Sequence, residues 1–154
     1  MSRTDVESGI DRVLAQAKHG DVALLVIGDP FGATTHADLY LRARHAGIEV
    51  RVVHNASVLN SIGATGRELY RFGYTVSLPE WEHGFEPTSF LPRIMDNRKR
   101  GLHTLCLLDI KADKSRFMTV AQGLELLGRA QAREGHGPLT ADLEIVGVAR
   151  LGCP

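Results

Sequence analysis

Apolar positions along this chain follow two spacings, and the two alternate. Val6, Ile10, Val13, Leu14 and Ala17 recur at helical intervals, which predicts a helix over 4–19. Thr4-x-x-Glu7 fits a capping box at its start and Gly20 closes it. Residues 22–27 form an unbroken apolar run of the kind a buried parallel strand needs. A helix over 36–46 ends at Gly47, and 48–54 reads as the next strand. Asn55-Ala56-Ser57 then turns into a further helix, with Val58, Leu59, Ile62, Leu69 and Tyr70 on one side. Gly63 and Gly66 weaken that helix by about 1 kcal/mol each relative to alanine, and point to close packing there. Residues 72–78 form a short strand.

Residues 79–87 read as a loop, which places a boundary between a first part, 1–79, and a second part, 80–154. Ser89 caps a helix that runs to Arg100 and stops at Gly101. A buried strand over 104–110 follows. Thr119-x-x-Gln122 is a second capping-box candidate, heading a helix with Val120, Leu124 and Leu127 on one face. The last strand is expected over 143–151. Alternating strands and helices predict an α/β class with right-handed crossovers. A helix ahead of the first strand is unusual for such a domain. No internal repeat or low-complexity tract interrupts the pattern.

Composition narrows the class. The 154 residues suffice for a real core, and 44% apolar with 23% charged residues describes a globular chain. Lys+Arg and Asp+Glu both number 18, so bulk charge does not select a nucleic acid backbone. Cys106 lies inside an apolar run, far in sequence from Cys153, and reads as a buried reduced thiol of a cytoplasmic protein. No signal peptide is visible, and no apolar run is long enough to cross a bilayer.

Two strand–loop–helix corners carry the candidate chemistry. In the first, Gly28-Asp29-Pro30 stops the strand, because proline has no N–H and restricts the residue before it. Gly32 permits close approach to the backbone, and Thr34 and Thr35 are expected N-caps of the following helix. Asn55-Ala56-Ser57 repeats the logic. Free N–H groups at such helix starts can hold an anion, and spacing alone leaves either corner as ligand site or plain cap. Neither a P-loop nor a G-x-G-x-x-G fingerprint is present. The seven histidines show no metal-ligand spacing. His36 and His54 flank the corners as polar site residues or, more simply, as caps or satisfied buried imidazoles. Asn97-Arg-Lys-Arg100 reads as a helix end whose cations suit the dipole. Trp81 and Phe85 lie in an acidic loop, either as a lid over a substrate or as packing at a junction.

Four stretches go beyond generic pattern: Gly28-Asp-Pro-Phe-Gly-Ala-Thr-Thr-His36, His54-Asn-Ala-Ser-Val-Leu-Asn-Ser-Ile-Gly63, Leu69-Tyr-Arg-Phe-Gly73 and Asn97-Arg-Lys-Arg-Gly-Leu-His-Thr-Leu-Cys-Leu-Leu-Asp-Ile-Lys111. Together they closely resemble the diphthine synthase family, the methyltransferases of diphthamide biosynthesis within the tetrapyrrole methylase superfamily. The resemblance covers nearly the whole chain. It implies a two-lobed tetrapyrrole methylase-like fold. A parallel Rossmann-like N-terminal part is followed by a mixed α/β C-terminal part, both incomplete. The family's first strand with its glycine loop and its C-terminal cofactor-touching segment have no counterpart here, so the chain is expected to be a fragment with exposed strand edges.

The resemblance further implies methyl transfer from S-adenosyl-L-methionine to the modified histidine of translation elongation factor 2, by a homodimer without metal. Carried over motif by motif, the cofactor contacts fall at Asp29, Gly32, Ser57, Val58, Leu108 and Leu151. Leu108 and Leu151 would line an apolar slot for the adenine. No catalytic base is named, since displacement at a sulfonium methyl needs alignment more than proton transfer. Phe31 and His54-Asn-Ala-Ser match eukaryotic members, whereas the short link from Lys111 to Phe117 matches archaeal ones, so trimethylation and ester formation both stay open. Two alternatives stand beside this reading: an inactive remnant that only interacts with a partner, and a methylase acting on a tetrapyrrole.

Overall fold

Strand β1 (Phe72–Leu78) lies parallel to β2 (His103–Leu108), with Phe72 opposite His103 and Leu78 opposite Leu108. Parallel neighbours need a crossover, and α4 (Phe90–Lys99) supplies it. Pro92 is accommodated because it falls in the first turn of α4, where no intrahelical N–H bond is lost. This computed structural model describes residues 3–151, with the side chains of 3–8 and 113 left aside. Two compact units meet in the sequence between Ile62 and Gly63.

The second unit holds one apolar core. Val76 and Leu78 come from β1, Phe90, Leu91 and Ile94 from α4, and Leu126, Leu127 and Ala130 from α5 (Val120–Glu134). Burying each of the larger side chains is worth about 1.5–3 kcal/mol. The cap expected on α5 is present. Thr119 Oγ1 accepts from the Gln122 amide at 3.3 Å, and the Thr119 amide donates to Gln122 Oε1 at 2.8 Å. Gly135 closes the helix in a left-handed conformation at φ +73°. A short antiparallel ribbon, β3 (Ile110–Lys111) with β4 (Arg116–Phe117), sits between β2 and α5 in sequence.

Asn97 is fully enclosed among these elements, at 1% exposure. Its Oδ1 accepts from the Tyr74 amide at 2.8 Å, while its Nδ2 donates to the Tyr74 carbonyl at 2.9 Å and to Thr104 Oγ1 at 2.8 Å. The segment read as a cationic helix end therefore also carries a polar bridge from α4 to both strands. Ser89 precedes α4 as expected, but its side chain makes no capping bond.

The first unit contains α1 (Arg3–Ala17), α2 (Ala37–His45) and α3 (Val58–Ser61). The capping box expected at Thr4 and Glu7 lies outside the described side chains. Three expected strands, 22–27 and 48–54 here and 143–151 in the second unit, carry no ladder among the described residues. An apolar run becomes a strand only where a neighbour takes up its backbone groups. Along 22–27, Leu25 at 93% and Ile27 at 104% exposure are likewise left uncovered.

The long helix expected from Val58 is also shorter. It ends at Ser61 and gives way to single 3-10 turns at Ile62–Thr65 and Leu69–Arg71. Gly66 between them stands at φ +78°, a left-handed conformation incompatible with continuing an α-helix. Among the described residues no helix is long and apolar enough to cross a membrane.

Candidate functional site

The loop after residue 27 is braced by its own side chains. Asp29 Oδ1 accepts from the Phe31 amide at 2.8 Å, which forms a tight Asx turn. Thr34 Oγ1 donates to the Pro30 carbonyl at 2.8 Å and accepts from the His36 amide at 3.1 Å. His36 Nδ1 lies 3.1 Å from the same Pro30 carbonyl. Thr34 thus stabilises the turn, and His36 takes the N-cap position of α2 without a side-chain cap bond.

The second corner folds against the first within the same unit. Asp29 Oδ2 accepts from His54 Nδ1 at 2.8 Å and from the Asn55 amide at 3.2 Å. The Phe31 amide foremost, then His54 and, more weakly, Asn55, hold the Asp29 carboxyl below the usual carboxylate range against an opposing effect of burial. Gly32 meets Ser57 so closely that a Cβ there would lie 2.5 Å from Ser57 Cβ. The two corners therefore pack so closely that a methyl group at Gly32 would collide with Ser57.

Spacing left the second corner as ligand site or plain cap, and the bonds its amides make are those of a cap. Ser57 Oγ accepts from the Leu59 amide at 3.2 Å, the Ser57 amide donates to Asn60 Oδ1 at 2.8 Å, and the Ala56 amide donates to Asn55 Oδ1 at 2.8 Å. The start of α3 is capped from within, and a helix of four residues has little dipole to offer. What the joined corners present is the Asp29 carboxylate.

Of the predicted contact residues, Asp29, Gly32, Ser57 and Val58 share this corner. Leu108 and Leu151 belong to the second unit. Leu108 packs against the core there, and a Cβ on Gly123 of α5 would come within 2.7 Å of it. Leu151 is half-buried in a turn.

The acidic loop 79–87 is strapped down. Trp81 Nε1 donates to the Pro87 carbonyl at 3.0 Å, and the guanidinium groups of Arg129 and Arg133 stand 4.9 and 5.7 Å from its ring centre. Lys111 pairs with Glu80 and Glu82, and Arg116 with Glu80. Glu82 foremost raises the Lys111 ammonium, and Lys111 in turn lowers the Glu82 carboxyl. Trp81 is therefore packing and not a lid, while Phe85 is exposed. A cleft of about 450 Å³ beside Trp81 is lined by these paired charges together with Gln122 and Glu125. Among the described residues no three His, Cys, Asp or Glu side chains converge as a metal would require.

Sequence reading missed two contacts of this corner. His54 and Asp29 are separated by 25 positions, and nothing local announces their contact. The Asn55 amide leaves no mark in a sequence at all.

The family model of the Tetrapyrrole (Corrin/Porphyrin) Methylases matches residues 3–154. The chain belongs to this family. Within these methylases it is 43% identical over 167 residues to the diphthine methyl ester synthase of Eremothecium gossypii, a match covering 99% of this chain and 56% of that protein. It is likewise 43% identical over 169 residues to the human diphthine methyl ester synthase, covering 97% and 59%. A crystal structure of diphthine synthase superposes with a TM-score of 0.76 at 32% identity, over 86% of this chain and 51% of that one. This tetrapyrrole methylase chain thus spans somewhat more than half the length of the curated relatives it matches.

Proposed function

We propose that the chain acts in diphthamide biosynthesis as an S-adenosyl-L-methionine-dependent methyltransferase, with the modified histidine of translation elongation factor 2 as acceptor. The observation that carries this reading is the joined corner. Asp29, from the glycine loop, is bonded to His54 and Asn55 of the second corner within a chain 43% identical to diphthine methyl ester synthases. The residues present fit the cofactor. An ionised carboxylate suits its ammonium group, and Asp29 is held in its ionised form by the Phe31 amide and His54.

When bound, the cofactor supplies an electrophilic methyl group on a sulfonium. The chain's part is to bind, orient and exclude water, and good orientation alone is worth about 7–11 kcal/mol. No side chain at the corner is assigned as a base. The resemblance supports a homodimer as the working form, and the free, half-buried Cys106 thiol supports a cytoplasmic setting.

The deciding assay incubates the chain with labelled S-adenosyl-L-methionine and elongation factor 2 carrying the unmethylated precursor. Label on the factor, lost in Asp29→Asn, supports the reading; no label from the unaltered chain overturns it. One observation favours the alternative of an inactive chain that only associates: Leu25, Ile27 and Val53 are exposed apolar side chains on unpaired runs. Sedimentation as a stable monomer would remove that alternative.

A further inference from the structure

A carboxylate has about four acceptor positions, two on each oxygen. At Asp29, three are filled from within the chain: by the Phe31 amide on Oδ1, and by His54 Nδ1 and the Asn55 amide on Oδ2. The amides follow their loops wherever these go. His54 differs, because it is a side chain aimed at the carboxylate. Its ring stands 6.1 Å from the Phe31 ring at 55°, and Phe31 stands edge-on to Tyr40 at 5.5 Å. For Nδ1 to donate, it must carry the hydrogen, which selects one neutral tautomer or the imidazolium.

His54 has little packing to do. Its side chain is 68% exposed, whereas that of Asp29 keeps only 15%. Truncating it opens no cavity in a core. What it removes is the shorter of the two bonds to Oδ2, leaving the Asn55 amide at 3.2 Å as the partner of that oxygen among the described residues. The carboxylate can then turn about its terminal torsion, which is broad.

We propose that His54 is the positioning residue of this corner: donating from Nδ1, it fixes the Asp29 carboxylate so that one acceptor position stays open toward an ammonium-bearing ligand. This deepens the methyltransferase reading and rests on it for the identity of the ligand.

Three variants place the donor differently. His54→Asn keeps an N–H where Nδ1 sits, His54→Gln carries it farther out, near Nε2, and His54→Ala removes it. Two measurements are made on the full chain. One is calorimetric titration with S-adenosyl-L-methionine and with its demethylated product. The other is an NMR titration of the Asp29 carboxyl without ligand. His54→Ala and His54→Gln should weaken binding about fivefold and let Asp29 titrate nearer an ordinary carboxylate, while His54→Asn retains both properties. Either readout unmoved in His54→Ala overturns the proposal, and so does His54→Gln matching His54→Asn. If the unaltered chain binds neither ligand, the cofactor reading falls. The ligand-free titration then decides on His54: a shift in the Ala and Gln variants, absent in Asn, upholds it, and no shift overturns it.

Discussion

Gly73 and Asn97 leave no room for a β-carbon between them: a Cβ on Gly73 would lie 2.2 Å from Asn97 Oδ1. The amide uses that space to bond both the N–H and the C=O of Tyr74, much as a neighbouring strand would. A buried amide that loses its partners costs more than the bonds themselves contributed.

Gly73→Ala and Asn97→Ala should each therefore destabilise the chain by about 2–4 kcal/mol. Because both act on one contact, the double variant should fall well short of the sum. Urea unfolding of the three variants measures this. Additive losses would show that the two residues act independently.

The close approach of Gly32 to Ser57 makes a second pair. Gly32→Ala should weaken cofactor binding at least tenfold, because its methyl would overlap Ser57 Cβ. Adding Ser57→Gly removes the obstruction, and as a cap change to glycine it costs only a few tenths of a kcal/mol. Calorimetric titration of the double variant should recover most of the loss. Recovery absent would mean that the Gly32 position is not limited by Ser57.

The pH response of stability has opposite causes at its two ends. Burial pushes the Cys106 thiol up to about 11 from about 9. Between those values the unfolded chain has released a proton that the folded chain retains, so stability falls as pH rises, by at most about 3 kcal/mol. Cys106→Ser should flatten that limb in urea titrations, and the thiol should resist alkylation at pH 8 until the chain unfolds. At the acid end, Asp29, Glu82 and Asp142 are all held below their ordinary range by hydrogen bonds or ion pairs. Their contributions are present at neutral pH and are lost on acidification through and below about pH 4.

Trp81→Phe keeps an aromatic face for Arg129 and Arg133 but removes the Nε1 bond to Pro87. It should cost about 1 kcal/mol and quicken proteolysis within 79–87. An unchanged cleavage rate would place the hold on this loop in its ion pairs with Lys111 and Arg116 instead.

Legibility tracked the range of the determining interaction. The strand at Phe72–Leu78 and the Thr119–Gln122 cap were readable because alternation and capping act over a few residues. The runs at 22–27 and 48–54 have strand composition, yet pairing depends on a neighbour that composition does not specify. The helix after Val58 stopped at Ser61, and Gly66, with its left-handed backbone, kept the apolar spacing beyond it from resuming one. At the candidate site, Asp29 and Ser57 were found from their corners and their motif. The bond from Asp29 to His54 needs the fold, as does the enclosure of Asn97.

Burial is shared unequally between the units. Among the described residues, Ile10, Ala43 and Ile62 are the buried apolar side chains of the first, while eight such side chains form the core of the second. Heating should then reveal separate transitions rather than one, with the half containing Asp29 melting early. A ligand seated there would act as a thermal ballast for that half alone, raising its midpoint with concentration while the other transition stays where it is.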